Sequence, residues 1–576
     1  MDRTRKMFLL IVMPVFLIVT GVMLVVESRK AGPSPFPPGT EVPRDAVVVS
    51  ISSSNTKDAW LDQAIARFNE AGHRTAGGHP IAVHATHVTS GPSMEAILDG
   101  SAQPVVWSPG DASWVEQLNA AWQRQHNRPI NSQPCPGTVL QPVGFAMWRP
   151  MAQALGWPDE PITWEMIVER AADPDGWADY GRPEWGRFRF GHTHPAYSNT
   201  GLLTLTSFVY GALGTQEPLA AARVYEAEEA MRLLEQATAK YGRNSRPLLE
   251  LMASEGPAYL HAAAVPESNV LKFNIERAAE LQFPLAFVVP AGGTIWADHP
   301  YCVLDNAEWV SGEEAEAAAR FGDYLLQREQ QEAAIDNFLR PVDASLALRA
   351  PLDLDHGTDP RVSPATAPTL PSPDAAVSAA VIDLFSLTKR PATVVLVLDV
   401  SLSMAGQPLR AATQATADFL GRLQRNDEVA VVIFSQTVVA LSEIQPASQE
   451  REALQERVLQ LTPGSGTALY DAVCEATNRA AERKAAAEAD GDSRLYGIVL
   501  LTDGEDTSSN RSENQMFTNC LPTSAEADGF KIFPIAFGGG ADTAVLARIA
   551  AVTGGQLCAA DPASIGDCYL SISAEQ

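Results

Sequence analysis

Residues 394–404 read VVLVLDVSLSM. Five apolar residues run straight into an aspartate, and two serines follow at alternate positions. An unbroken aliphatic run of this length is what a strand buried on both faces requires. Its end sets three hard oxygen donors, Asp399, Ser401 and Ser403, around one point, and such donors suit a divalent cation. The same grammar continues on either side. Strand-like TVVLVLD, EVAVVIF, LYGIVLLTD and KIFPIAF alternate with helix-like PLRAATQATADFLGRL, LYDAVCEATNRAAERKAAAEA and TAVLARIAAVTG. Aliphatic strands between amphipathic helices predict an α/β domain with a doubly wound parallel sheet. Folds of that kind place their ligands at the carboxyl ends of the strands. Two further oxygens fall at those ends: Thr467 in GSGTALYD and Asp503 in VLLTDGED. Two carboxylates with three hydroxyls carry little charge, which suits Mg²⁺ with its retained waters, or Mn²⁺ or Ca²⁺ in its place.

The set DVSLS, the threonine loop and TDG resembles the metal-ion-dependent adhesion site of the von Willebrand factor type A (VWA) domain. That family's DxSxS, then threonine, then aspartate is matched at all five positions, and the order of strands and helices agrees over roughly the last two hundred residues. The resemblance implies a Rossmann-like fold. It also implies that Asp399, Ser401 and Ser403 hold the ion directly or through water, that Thr467 joins when a ligand engages, and that Asp503 binds mainly through water. An acidic side chain of a protein partner would complete the shell.

At 576 residues the chain is too long for one compact domain, and 46% hydrophobic residues are enough to fill real cores. A formal net charge of −27 excludes the basic face that nucleic acid demands. Arg3, Arg5 and Lys6 precede an uncharged apolar run over residues 8–26, long enough to cross a bilayer core. With no small-residue cleavage site behind it, residues 1–28 are read as a retained signal anchor, a cleaved signal being the alternative, with the bulk of the chain extracytoplasmic in a bacterial cell either way. Six cysteines fit an oxidising compartment and leave about fifteen full pairings open. Cys135–Cys302 and Cys558–Cys568 are the expected bridges. Cys474, on an apparent helix, is read either as bridged or as a buried free thiol.

Two breaker-rich stretches divide the chain, a Pro-rich spacer at 29–45 and a Pro-rich linker at 351–374. They bound a first domain at 46–350 and the VWA-like domain at 375–576, with loose coupling expected between them. Within the first, VVVSISSS, IAVHATHVTS and PVVWSPGD each lead from a strand through a polar loop into an amphipathic helix. Polar loops of this kind present free backbone N–H groups and the positive end of a helix dipole. Ser53, Ser54, Ser90, Ser108, Ser198 and Thr200 add hydroxyls, so a small polar or anionic solute fits between such loops; ordinary helix capping explains each residue singly. The pattern is similar to type II periplasmic solute-binding proteins, in which two α/β lobes close on a ligand. Residues 139–148 resemble the first crossover between lobes, and THPAYSNTG a loop of the second lobe at a helix N-terminus. His192 and His194 in GHTHP invite a metal reading through alternate spacing. The tryptophans, Trp148, Trp157, Trp164, Trp177 and Trp185 among them, read mainly as core.

No HExxH, GxSxG elbow, P-loop or GxGxxG appears, so nothing proposes an enzyme. The reading is a membrane-anchored extracytoplasmic binding or adhesion protein that captures a protein partner through a Mg²⁺-dependent site and senses a solute. The alternative is the solute receptor of a transporter with the VWA-like domain as docking module. A channel ranks last, because one apolar span encloses no pore.

Overall fold

The computed structural model describes residues 42–492, 494–521 and 529–575. The anchor read at residues 1–28 and most of the spacer lie outside them. Among the described residues, no helix is long and apolar enough to cross a membrane.

The chain opens with β1 (Val47–Ser53), β2 (Ile81–His87) and β3 (Val106–Ser108), paired in parallel. It crosses over through β4 (Val139–Pro142) and β5 (Phe145–Trp148), then builds β6 (Phe190–Thr193), β7 (Thr238–Gly242), β8 (Ala262–Ala263) and β9 (Leu285–Val288). The return runs through β10 (Trp296–Ala297) and β11 (Cys302–Val303), and β12 (Arg340–Pro341) closes the unit. Three sheets result: β11-β3-β1-β2 in the first lobe, β7-β6-β8-β5-β9 in the second, and β10-β4-β12 between them. The expected crossover at 139–148 is therefore split, with β4 in the connecting sheet and β5 in the second lobe. The tryptophans read as core are largely that: Trp148, Trp164 and Trp177 are buried, while Trp157 and Trp185 pack at the edge of the same core.

The last 180 or so residues carry β13 (Ala392–Asp399), β14 (Glu428–Phe434), β15 (Val438–Ala440), β16 (Gln445–Pro446), β17 (Leu495–Thr502), β18 (Lys531–Phe537) and β19 (Cys558–Ala560). The order is β15-β14-β13-β17-β18-β19. Every residue of β13 is buried. Val394, Leu396 and Leu398 face helices Gln407–Arg422 and Ile565–Glu575, whereas Val395 and Val397 face Leu469–Ala489 and Thr543–Thr553. That two-sided cover explains the aliphatic run. The sheet is not wholly parallel as expected: β15 and β16 pair antiparallel with β14. A tight turn, in which the Ser435 N–H donates to the Thr437 carbonyl, folds β15 back along the edge.

Three disulfides join Cys135–Cys302, Cys474–Cys520 and Cys558–Cys568. Both expected bridges are present, and Cys474 is bridged rather than free.

The boundary between the units differs from the sequence reading. Residues 351–374 are not a spacer, since Leu352, Thr358 and Leu370 are buried. Phe287 and Thr294 donate backbone N–H groups to the carbonyls of Gly357 and Pro368 at 2.7 and 2.9 Å. Helix Ala375–Thr388, capped by Asp374 onto the Val377 N–H, contributes Val377, Val381, Leu384 and Phe385 to the second lobe's core. The Phe385 ring meets His192, His194 and Tyr241 edge-on at 4.9–5.7 Å. The helix therefore packs with the first unit, and β13 begins only at Ala392. Nor is the coupling loose. Helix Ile565–Glu575 packs on β7, and Arg243 Nη1 lies 3.4 Å from Asp567 Oδ1.

Leu384→Ala is expected to destabilise the first unit by about 2–5 kcal/mol. A fragment ending at 374 should unfold at lower denaturant than one ending at 391. Equal midpoints for the two fragments would assign the helix to the C-terminal unit.

Candidate functional site

The rim at the carboxyl end of β13 gathers the five predicted oxygens. Asp399, 1% exposed, ends the strand. Its Oδ1 accepts the Ser401 N–H at 2.7 Å, and its Oδ2 accepts the Thr502 hydroxyl at 2.6 Å. The Ser401 and Ser403 hydroxyls are 2.9 Å apart, and Ser403 donates to Asp503 Oδ1 at 2.7 Å. Thr467 comes from the loop before helix Leu469–Ala489. A Cβ built on Gly504 would stand 3.9 Å from its Oγ1 and 4.0 Å from Ser403 Oγ, which places both hydroxyls around the residue after Asp503. The loop reaches the rim because it is glycine-rich. Gly464 donates its N–H to the Val400 carbonyl at 2.7 Å, and Gly466 has φ +74° where a Cβ would strike Ser508.

Burial pushes both carboxyls up from their ordinary range; hydrogen bonds from Thr502 and Ser401 oppose this at Asp399, and one from Ser403 does so at Asp503. Desolvated carboxylates among hydroxyls, with no Lys or Arg bonded to either among the described residues, form an oxygen-only donor set that fits a hard divalent cation. Among the described residues no group of three or more His, Cys, Asp or Glu is placed to hold a metal ion. Thr502 was missed by the sequence reading; its signal is a hydroxyl one position before Asp503 in TDG. Asp506 accepts the Tyr470 N–H at 3.2 Å in the first turn of a helix.

The second candidate lies between the lobes. Ser54, Ser90, Ser198 and Thr200 line a cleft of about 90 Å³, together with Arg246 and Lys272. Its walls are the starts of the segments beginning at Asn55, Ser90, Asn199, Ser245 and Glu267. Neither Ser54 nor Ser198 bonds its own helix start, so both hydroxyls escape the capping explanation. Ser53 and Ser108 do not line the cleft, which corrects the expectation. They sit opposite each other at the ends of β1 and β3, both buried, and donate to the carbonyls of Ser54 and Pro300 at 3.1 and 2.7 Å. The lobes meet directly: Trp114 Nε1 donates to Asn199 Oδ1 at 2.9 Å, and Lys272 Nζ lies 3.9 Å from Asp58 Oδ1.

Behind the cleft is a buried group that the sequence reading also missed. Lys57 Nζ donates to Ser54 Oγ at 3.0 Å and to the Ser108 carbonyl at 2.9 Å, and lies 3.5 Å from His299 Nδ1. Burial pushes its ammonium down to about 7, with Asp298 pulling the other way. Burial and Lys57 hold His299 neutral, well below its ordinary value. Its Nε2 is a buried atom without a partner among the described residues, in a residue that lines a chamber next to the cleft. The histidine pair read in GHTHP is not a metal site. His192 Nε2 is 3.1 Å from Glu235 Oε1 in the core, and burial pushes His194 down to about 3.

Two crossovers through a connecting sheet, with a polar cleft between α/β lobes, define a solute-binding architecture; the oxygen-ringed sheet behind it is a VWA fold. This chain belongs to the bacterial extracellular solute-binding proteins, whose family profile matches residues 49–340, and residues 393–564 match the von Willebrand factor type A domain. An uncharacterized protein of Synechocystis sp., sll0103, is 30% identical over 169 residues, 29% of this chain and 37% of that relative's length. Among solved structures, a periplasmic thiamin binding protein aligns at 14% identity and a TM-score of 0.41, covering 61% of this chain and 98% of its own. A von Willebrand factor type A protein from Catenulispora acidiphila aligns at 22% identity and a TM-score of 0.28, over 32% and 42%. Both matched domains are binding or adhesion types rather than typical enzymes.

Lys57 gives a pH test. The unfolded chain keeps this proton up to its ordinary value of 10.5, whereas the folded chain sheds it near 7. The unfolded state therefore binds more protons across that window, and stability rises with pH by about 1.4 kcal/mol per unit from this group. In Lys57→Met that contribution should vanish. The wild-type-minus-variant difference in unfolding free energy, followed from pH 6 upward, measures it; a flat difference would contradict the assignment.

Proposed function

We propose that this is an extracytoplasmic binding protein that captures a protein partner through a divalent cation at the VWA rim and takes up a small anionic solute between its lobes. The convergence of two desolvated carboxylates and three hydroxyls from three loops carries the first half. Asp399, Ser401 and Ser403 would hold Mg²⁺, with Thr467 and Asp503 completing the protein's share. The bound cation would offer a partner's carboxylate a positive point at an otherwise negative rim. Here the chain's own residues keep the donors in place. Thr502 and the Ser401 N–H fix the Asp399 carboxylate, and the Gly464–Val400 bond holds the Thr467 loop against it.

The solute half rests on the convergence of segment starts with the cationic heads of Arg246 and Lys272. Free N–H groups and dipole ends favour a negative ligand. A ring hydrogen on the deep Nε2 of His299 would give its oxygen a hydrogen-bond donor. Disulfides and the solute-binding family support an extracytoplasmic place, and the apolar run at residues 8–26 would tether the protein to the membrane as a single span.

Asp399→Ala should abolish Mg²⁺-dependent partner capture and the Mg²⁺-induced rise in melting temperature while leaving the fold in place. Pull-down from membrane extracts with and without chelator, for wild type and variant, tests this. Capture that ignores both chelator and substitution would sink the adhesion reading. For the cleft, a thermal-shift screen of sulfate, phosphate and small phosphate esters should find a stabilising ligand. Arg246→Ala should weaken that ligand about tenfold; a screen of oxyanions without a hit would refute the anionic class.

A further inference from the structure

A cavity of about 430 Å³ lies where the second lobe meets the base of the VWA sheet, away from both sites above. The lobe contributes Arg187 and Arg189, and the sheet side contributes Arg390, Lys484, Arg494 and Tyr496. Arg390 stands two residues before β13 and Arg494 one before β17, so this is the end of the sheet opposite the oxygen rim.

Its charges do not balance internally. The two acids in the lining are already matched: Lys484 Nζ is 3.0 Å from Glu488 Oε1, and Arg494 Nε is 2.9 Å from Asp492 Oδ2. The other three guanidiniums meet only carbonyls among the described residues. Arg187 Nε donates to Pro174 at 3.2 Å, Arg189 Nη1 to Ala258 at 2.7 Å, and Arg390 Nη2 to Arg494 at 3.3 Å. Among the described residues, two buried polar atoms in the same lining have no partner: Arg390 Nε, and the hydroxyl of Tyr496, a residue 6% exposed. Buried polar groups are ordinarily satisfied, so orphans sharing one cavity point to something that completes them. In a chain of formal charge −27, three guanidiniums line one cavity with no carboxylate bonded to any of them among the described residues.

We propose that this interdomain cavity binds a soluble small molecule carrying a phosphate-class oxyanion, clamped by Arg187, Arg189 and Arg390 with Tyr496 donating its hydroxyl hydrogen. Planar guanidinium forks match the paired oxygens of such a group. The volume falls in the range of small-molecule sites and exceeds what a lone phosphate fills, so the ligand has a body beyond its anionic head. Because both units supply the clamp, occupancy stabilises their present arrangement.

Inorganic pyrophosphate is the probe, titrated calorimetrically into the full chain at low ionic strength. Wild type should bind one equivalent at this site. Arg187→Gln should weaken binding at least tenfold and Tyr496→Phe about three- to tenfold, while Arg246→Ala in the interlobe cleft should leave it unchanged. Arg187 is exposed and makes a single carbonyl contact, so its variant should fold, which circular dichroism checks. No binding by wild type would overturn the proposal. So would unchanged affinity in both Arg187→Gln and Tyr496→Phe, or a loss confined to Arg246→Ala, which would move the anion to the cleft.

Discussion

A buried ion pair holds the first unit to the rest of the chain. Arg340 in β12 donates from Nε and Nη2 to the two carboxylate oxygens of Glu267 at 2.8 and 2.7 Å, with both side chains almost wholly buried. Two charges in that environment lose so much hydration that they must satisfy each other and every remaining donor. The remaining donors go to the segment after β12. Arg340 Nη1 reaches the Val362 carbonyl and Nη2 the Asp359 carbonyl, while the Thr358 hydroxyl donates to Glu267. Glu267 opens the helix whose start forms part of the cleft wall. One guanidinium thereby joins the connecting sheet, the solute cleft and the segment that leads to the VWA fold.

That fixation makes a proline-rich stretch into a packed strap. Its prolines remove backbone donors that would otherwise need partners, and several of the remaining N–H groups are met, that of Thr358 by the Asp353 carbonyl, that of Arg361 by Asp359 and that of Leu370 by the Thr294 carbonyl. The strap delivers Asp374 to cap the next helix, which lies in the second lobe's core. From there only three residues, 389–391, separate a helix held by the first unit from the central strand of the second.

The rim was the most legible part of the chain. A strand buried on both faces has to be aliphatic throughout, so an aspartate at its end stands out, and hydroxyls at alternate positions mark a common side. The two lobes were legible as repeated strand–loop–helix grammar. What escaped depends on long-range burial. Ser53 and Ser108 look like Ser54 and Ser90 in sequence, and only the packing around them decides which hydroxyls reach the cleft. Lys57 reads as a surface lysine until Ser108 and His299 close over it. Helix Ala375–Thr388 could have been recognised, since AAVSAAVIDLFSLT is apolar around most of its circumference and so needs a core on several sides. Proline content outweighed that signal and placed the boundary fourteen residues or more too early.

The arrangement has a mechanical consequence. β13 spans eight residues from its base near Arg390 to Asp399, roughly 26 Å of extended chain. Its base follows directly from a helix buried in the second lobe, while its far end carries the rim. It is paired on both sides by β14 and β17, which leaves it no freedom to bend independently. A displacement of the second lobe must therefore be transmitted as a rigid shift of the whole VWA sheet, unless the few residues between helix and strand absorb it. Those residues are held as well: the Lys389 N–H donates to the Phe385 carbonyl, and the Arg390 side chain lies against the Arg494 backbone. The connection is thus short, straight and bonded, the opposite of a tether, and the interdomain cavity sits beside the point where it would have to yield.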